Sequence, residues 1–179
     1  MPIVPRGAQR RGLGGRALRG RAVGRPIAHD AAPSRPCSAL GGGDPTVRWV
    51  SVDLEPVIDV RRRLLPADPQ IIECPTSALD RSWFDAVPDD QPVLIIAEGL
   101  FMYFPPDDVW ALLSDMAARF AGGGLVFDSI PHWFSKKTLA GLDLTKTYRT
   151  PPMPFALTVD EAAAIPKRVP RITDTADVM

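Results

Sequence analysis

The stretch "PVLIIAEGLFMYFPPDDV" (Pro92–Val109) decides the fold. From Pro92 to Ala97 it is unbroken hydrocarbon. A short apolar run of that kind, closed by a turn signal, reads as a parallel strand covered on both faces. The run stops at a carboxylate, Glu98, with Gly99 behind it. A buried acid is costly unless something pairs with it, so Glu98 is expected at the open end of the strand, facing a ligand. Pro105 and Pro106 then open a helix in which Val109, Leu112, Leu113, Met116, Ala117 and Phe120 form one apolar stripe. Gly122 to Gly124 stop it.

Upstream, "TVRWVSVD" alternates into a strand that ends on Asp53. Pro56 starts the helix "PVIDVRRRLL", with Val57, Val60 and Leu64 on one face, because proline at the first helical position gives up no hydrogen bond. "QIIEC" (70–74) reads as a second strand, and "TSALDRSWFDAV" as a loop with a short helix. Downstream, "GLVFDSI" (124–130) is the fourth strand. "HWFSKKTLAGLDLTKTYRTPPMPF" reads as irregular, Thr158 and Glu161 stand at capping-box spacing before a short helix, and "PKRVPRITDTADVM" reads as extended, stopping as if within a domain. Alternating strands and helices over 47–130 imply βαβ units, hence an α/β fold with a mostly parallel sheet and flanking helices. Ligands of such sheets bind outside the carboxyl ends of the strands. Asp53, Glu98 and Asp128 all stand at or beside such ends.

The formal net charge of zero hides a division. Residues 1–36 hold eight arginines and one acid, Asp30, which leaves 13 basic and 20 acidic residues in the rest of the 179-residue chain. Residues 1–43 are rich in Gly, Arg, Pro and Ala, without helical or strand period, and are expected to be a disordered basic tail ahead of a domain over 44–179. The same composition arises when GC-rich codons are read in another frame. The tail has no aromatic residue for base stacking, so no nucleic-acid partner is expected. Two cysteines, Cys37 and Cys74, make no disulfide framework. No apolar run is long enough for a membrane span, and the residues after Arg10–Arg11 are too polar for a twin-arginine signal. A cytoplasmic location without membrane association is expected.

The residues allow several chemistries. Asp53 can accept hydrogen bonds from both hydroxyls of a ribose, or cap the following helix. In "TSALD" (76–80), small residues leave room for a flat base with Ser77 or Asp80 bonding its amine, or Asp80 caps the next helix in a surface turn. Glu98 can pair with a ligand ammonium, with Gly99 permitting close backbone approach, or bond local amides. Met102 and Tyr103 can line the same mouth or pack in the core. His132 reads as structural. No Cys/His cluster has metal spacing, no nucleophile–base pair stands out, and "ALGGGD" (39–44) precedes a strand where a phosphate loop would follow one. No catalytic residue is assigned.

Four segments in register, "VRWVSVDLEPVIDVRRRLLP", "TSALDRSWFDAV", "AEGLFMYFPPDDVWALL" and "GGLVFDSIPHWF", resemble the leucine carboxyl methyltransferase-like family over about residues 44–165. Within it they are similar to bacterial S-adenosylmethionine-dependent O-methyltransferases linked to polyketide biosynthesis. The resemblance implies a class I methyltransferase (Rossmann-like) sheet, S-adenosyl-L-methionine as cofactor, and a small-molecule methyl acceptor. It implies cofactor binding by Asp53 and Leu54 on the ribose side, Ser77, Ala78 and Leu79 at the adenine loop, and Glu98 and Gly99 near the methionine portion, with Tyr103 on the substrate side. The family's first strand and glycine-rich turn should precede Trp49, where this chain has its arginine-rich segment. A partial fold, cut short at both ends with the central strand missing, is therefore expected. Weak or no activity would follow, and the alternative is a non-catalytic fragment or partner-binding remnant.

Overall fold

The computed structural model describes residues 2–6, 25–30, 47–89 and 92–176. Its elements are β1 (Pro2–Arg6), β2 (Arg25–Asp30), β3 (Trp49–Asp53), α1 (Glu55–Leu64), β4 (Ile71–Pro75), β5 (Val93–Glu98), α2 (Pro106–Arg119), β6 (Gly124–Asp128), α3 (His132–Leu139), α4 (Val159–Ala163), α5 (Ile165–Arg168) and β7 (Asp174–Thr175). Short 3-10 helices cover Arg81–Ala86 and Phe101–Tyr103. Every strand pairing is parallel. One sheet runs β2-β5-β6-β1-β7, and a second pairs β3 with β4. The two meet where β2 runs alongside β3.

The expectation of a missing central strand is therefore not met. Arg25–Asp30 lies between β3 and β5, with Arg25 level with Val93 and Asp30 level with Glu98. The physical reason lies on β5, which would otherwise expose a row of unpaired amides and carbonyls on that side. Nor are Pro2–Arg6 and Arg25–Asp30 part of a disordered tail, since both pair as strands. The rest of the expected tail, with Cys37 and "ALGGGD", lies outside the described residues.

The stripe on α2 is buried as its period predicts, with Val109, Leu112, Leu113, Met116, Ala117 and Phe120 all at 4% exposure or less. Each of the larger side chains contributes about 1.5–3 kcal/mol by leaving water, and Ala117 less. Phe120 closes an aromatic group with Trp83 and Phe84, ring centroids 4.5–5.8 Å apart. Gly122 takes φ +78° at the end of α2, and Gly123 passes so close to β5 that a Cβ would lie 2.5 Å from the Val93 carbonyl.

Three elements depart from the sequence reading. On α1 the buried residue is Ile58, while Val57, Val60 and Leu64 face solvent. Residues 132–139, read as irregular, form α3, whose buried face is polar. There Ser135 Oγ donates to the Met153 carbonyl at 2.6 Å, and Thr138 Oγ1 donates to the Ser135 carbonyl at 2.8 Å while accepting the Met153 N–H at 3.0 Å. The C-terminal stretch read as extended contains α5 before β7. The capping box forms as spaced, with Thr158 and Glu161 exchanging bonds at the start of α4. Among the described residues no helix is long and apolar enough to cross a membrane.

Candidate functional site

The carboxyl ends of β3, β2, β5 and β6 bring Asp53, Asp30, Glu98 and Asp128 to one edge of the molecule, with Asp30 level with Glu98. Asp53 is 9% exposed. Its Oδ1 accepts the Leu54 N–H at 2.8 Å, while its Oδ2 is shut from solvent without a hydrogen-bond partner among the described residues. Asp53 does not cap α1: the N-cap is Leu54, which makes no side-chain cap bond. A shielded carboxylate oxygen with no donor is costly and rare. Beside it Leu54 presents an apolar side chain to water at 56% exposure.

The loop after β4 supplies the neighbouring wall. Ser77 Oγ accepts the Leu79 N–H at 3.2 Å, which tightens the turn and leaves the Ser77 hydroxyl hydrogen available. Ala78 is buried, and its carbonyl accepts the Trp83 indole N–H at 3.1 Å. Asp80 takes its helix-capping alternative: its carboxylate accepts the Ser82 N–H at 2.9 Å and the Thr76 hydroxyl at 3.3 Å. The bond from Ser82 pulls its pKa below the ordinary carboxylate value.

After β5, Glu98 is exposed and interacts with a neighbour. Gly99 adopts φ +64°, with nothing within 4 Å of where a Cβ would stand. Its N–H donates to Asp128 Oδ1 at 2.7 Å, tying the ends of β5 and β6 together. Met102 is core, whereas Tyr103 is 43% exposed. Partial burial pushes the Tyr103 phenol up first, and the nearby Tyr148 and Asp128 add to the rise. Tyr148 escaped the sequence reading. It lies in a hairpin closed by the Thr150 N–H to Leu142 carbonyl bond at 2.8 Å, and the only advance signal was Gly141, which takes φ +89°. His132 bonds Glu161 at 2.6 Å, joining α3 to the capping box of α4, a structural role.

The structure thus gathers Asp53, Leu54, Glu98, Gly99 and Tyr103 at strand ends or just beyond them, with Ser77, Ala78 and Leu79 on the loop following β4. Among the described residues no group of His, Cys, Asp and Glu could hold a metal ion.

The chain is similar to an O-methyltransferase. Over 125 residues it is 29% identical to the tetracenomycin polyketide synthesis O-methyltransferase TcmP of Streptomyces glaucescens. The match takes in 70% of this chain and 45% of the Streptomyces protein, so the chain spans less than half of that relative's length. No family model matches. A solved structure described as a pericyclic reaction enzyme superposes with a TM-score of 0.45 at 13% identity, over 86% of this chain and 34% of that one; so loose a likeness carries no argument.

Proposed function

We propose that the chain is built on a class I methyltransferase plan and binds S-adenosyl-L-methionine at this edge, for O-methyl transfer to a small molecule of polyketide type. The observation that carries the reading is Asp53, a shielded carboxylate oxygen without a partner at the carboxyl end of a parallel strand. The likeness to an O-methyltransferase supports it.

On this reading Asp53 accepts the two ribose hydroxyls, and the exposed Leu54 with Leu79 offers apolar surface to the adenine. The Ser77 hydroxyl can donate to a ring nitrogen. Glu98 takes the ammonium of the methionine portion, and Gly99 leaves the approach to it clear. S-adenosyl-L-methionine supplies an electrophilic methyl group. The residues bind and orient, and rate comes from proximity more than from acid–base work. The Tyr103 phenol, protonated at neutral pH like any tyrosine, serves as a hydrogen-bond donor to the acceptor oxygen.

The methionine side fits less well. No glycine occurs among residues 31–40, which directly follow β2, so the chain leaving that strand lacks the residue type that lets backbone approach a ligand. Weak cofactor binding and slow turnover are expected. The same observation favours a second reading, a non-catalytic remnant that keeps only the nucleoside half of the site. Isothermal titration of the folded chain with S-adenosylhomocysteine and with adenosine separates the two. Single-site binding of S-adenosylhomocysteine tighter than that of adenosine supports the first reading, and equal affinities support the second. Binding of neither defeats both.

A further inference from the structure

The opposite end of the β3–β4 pair carries a feature that the cofactor reading leaves unused. Between the end of α1 and the start of β4 lies a cavity of about 630 Å³. That volume lies within the range of small-molecule sites. Its apolar wall is Leu65, Pro66, Pro69 and Ile71, and its polar wall is two arginines and two acids.

Three of those four charges are already engaged. Arg62 Nε donates to Glu73 Oε2 at 2.7 Å, and Arg62 Nη1 reaches Asp59 Oδ1 at 3.4 Å. Asp68 Oδ1 accepts the Gln70 N–H at 2.9 Å. The fourth, Arg61, makes no side-chain hydrogen bond or ion pair among the described residues, and its Nε is shut from solvent with nothing to bond. A guanidinium stays charged at any working pH and presents a planar fork that matches a carboxylate. Its ε N–H has lost water without gaining an acceptor, so the side chain gains by turning that fork onto an anion in the cavity. The ligand's charge is bounded too. Glu73 and Asp68 line the same space and would repel a dianion, whereas a single carboxylate asks only for the Arg61 fork.

We propose that this cavity is a second binding site, for a small monocarboxylate with an apolar body, held by the Arg61 guanidinium. The carboxylate lies on the Arg61 fork and the hydrocarbon against Leu65, Pro66 and Ile71. The site is independent of Asp53 and needs no cofactor.

The test is a titration of the ¹⁵N-labelled full chain with 3-phenylpropanoate, read at the Arg61 Nε–Hε resonance and at the amides of residues 65–73. The neutral 3-phenylpropanamide serves as control. Saturable shifts with the acid and binding about tenfold weaker for the amide are expected. Arg61→Gln should lower affinity about tenfold or more, and Glu73→Gln should raise it by removing a repelling carboxylate and releasing Arg62. Absence of saturable binding, equal binding of the amide, or undiminished binding in Arg61→Gln overturns the proposal. Should Arg61→Gln fail to fold, the wild-type Nε–Hε resonance decides: a shift supports the site, and an unmoved resonance under saturating acid refutes it.

Discussion

Asp53→Asn should move stability and ligand binding in opposite directions. In the folded chain Asp53 Oδ1 keeps the Leu54 N–H, and Oδ2 has nothing. Asparagine retains an oxygen for Leu54 and replaces a shielded carboxylate oxygen with a neutral amide NH2. Leaving a charged group unsatisfied costs more than leaving a neutral one, a difference of about 1 kcal/mol. The ligand-free variant should therefore gain about 1 kcal/mol, or roughly 2–4 °C in Tm for a chain of this size. The ribose contact depends on the carboxylate accepting two hydroxyls. Loss of one such charge-assisted bond costs about 1.5–3 kcal/mol, roughly 10- to 150-fold in affinity. Thermal melts with and without saturating S-adenosylhomocysteine read both effects. Wild type should melt lower alone and gain from the ligand, whereas the variant should melt higher alone and gain little. A variant that melts lower and keeps the full ligand-induced rise would show that Asp53 is a structural residue and that the reasoning from its orphan oxygen is wrong.

Other outcomes follow from the packing. Gly123→Ala places a Cβ 2.5 Å from the Val93 carbonyl and 3.0 Å from that of Phe120, so it should cost about 1–3 kcal/mol. Gly122→Asn, at φ +78° with open space around it, should cost distinctly less; denaturant melts showing equal losses would contradict this contrast. Thr150 is buried with Oγ1 unpartnered, so Thr150→Val should leave stability level or raise it by about 1 kcal/mol, and a clear drop in the melting midpoint would show a hidden partner. Glu161 is held below the ordinary glutamate value of 4.5 by the Thr158 N–H first and His132 second. A depressed carboxylate pKa contributes stability that is complete above 4.5 and is lost as pH falls through the folded-state value. The acid limb of a Tm–pH profile should accordingly be shallower in Glu161→Gln, and superimposable profiles would show that the Glu161 bonds to Thr158 and His132 add no stability.

How far the sequence could be read depended on where each burial signal sat. The run from Pro92 to Phe120 was legible because β5 is continuous hydrocarbon and α2 repeats its apolar residues at helical spacing. On α1 the same rule misled. The inward face runs Ile58, Arg61, Leu65, and the arginine in its middle hides it behind the more regular Val57, Val60 and Leu64. α3 was invisible to a hydrophobic period because the groups it buries are the hydroxyls of Ser135 and Thr138. "RPIAHD" carries no strand pattern of its own, and its place comes from two strands far along the chain that lack a shared neighbour. In the candidate site, Asp53 and Glu98 could be found as acids at strand ends. The unpartnered Oδ2 of Asp53, the Gly99–Asp128 bond and the approach of Tyr148 to Tyr103 depend on contacts that no local pattern encodes.

The central claim, that the carboxyl edge beside Asp53 holds the cofactor, is tested most directly by a backbone amide titration of the ¹⁵N-labelled chain with S-adenosylhomocysteine. Saturable shifts should concentrate at Asp53 and Leu54, at Ser77 to Leu79, and at Glu98 and Gly99, leaving residues 65–71 at the far end unmoved. Shifts confined to other regions, or no saturable shift in a folded sample, would contradict it.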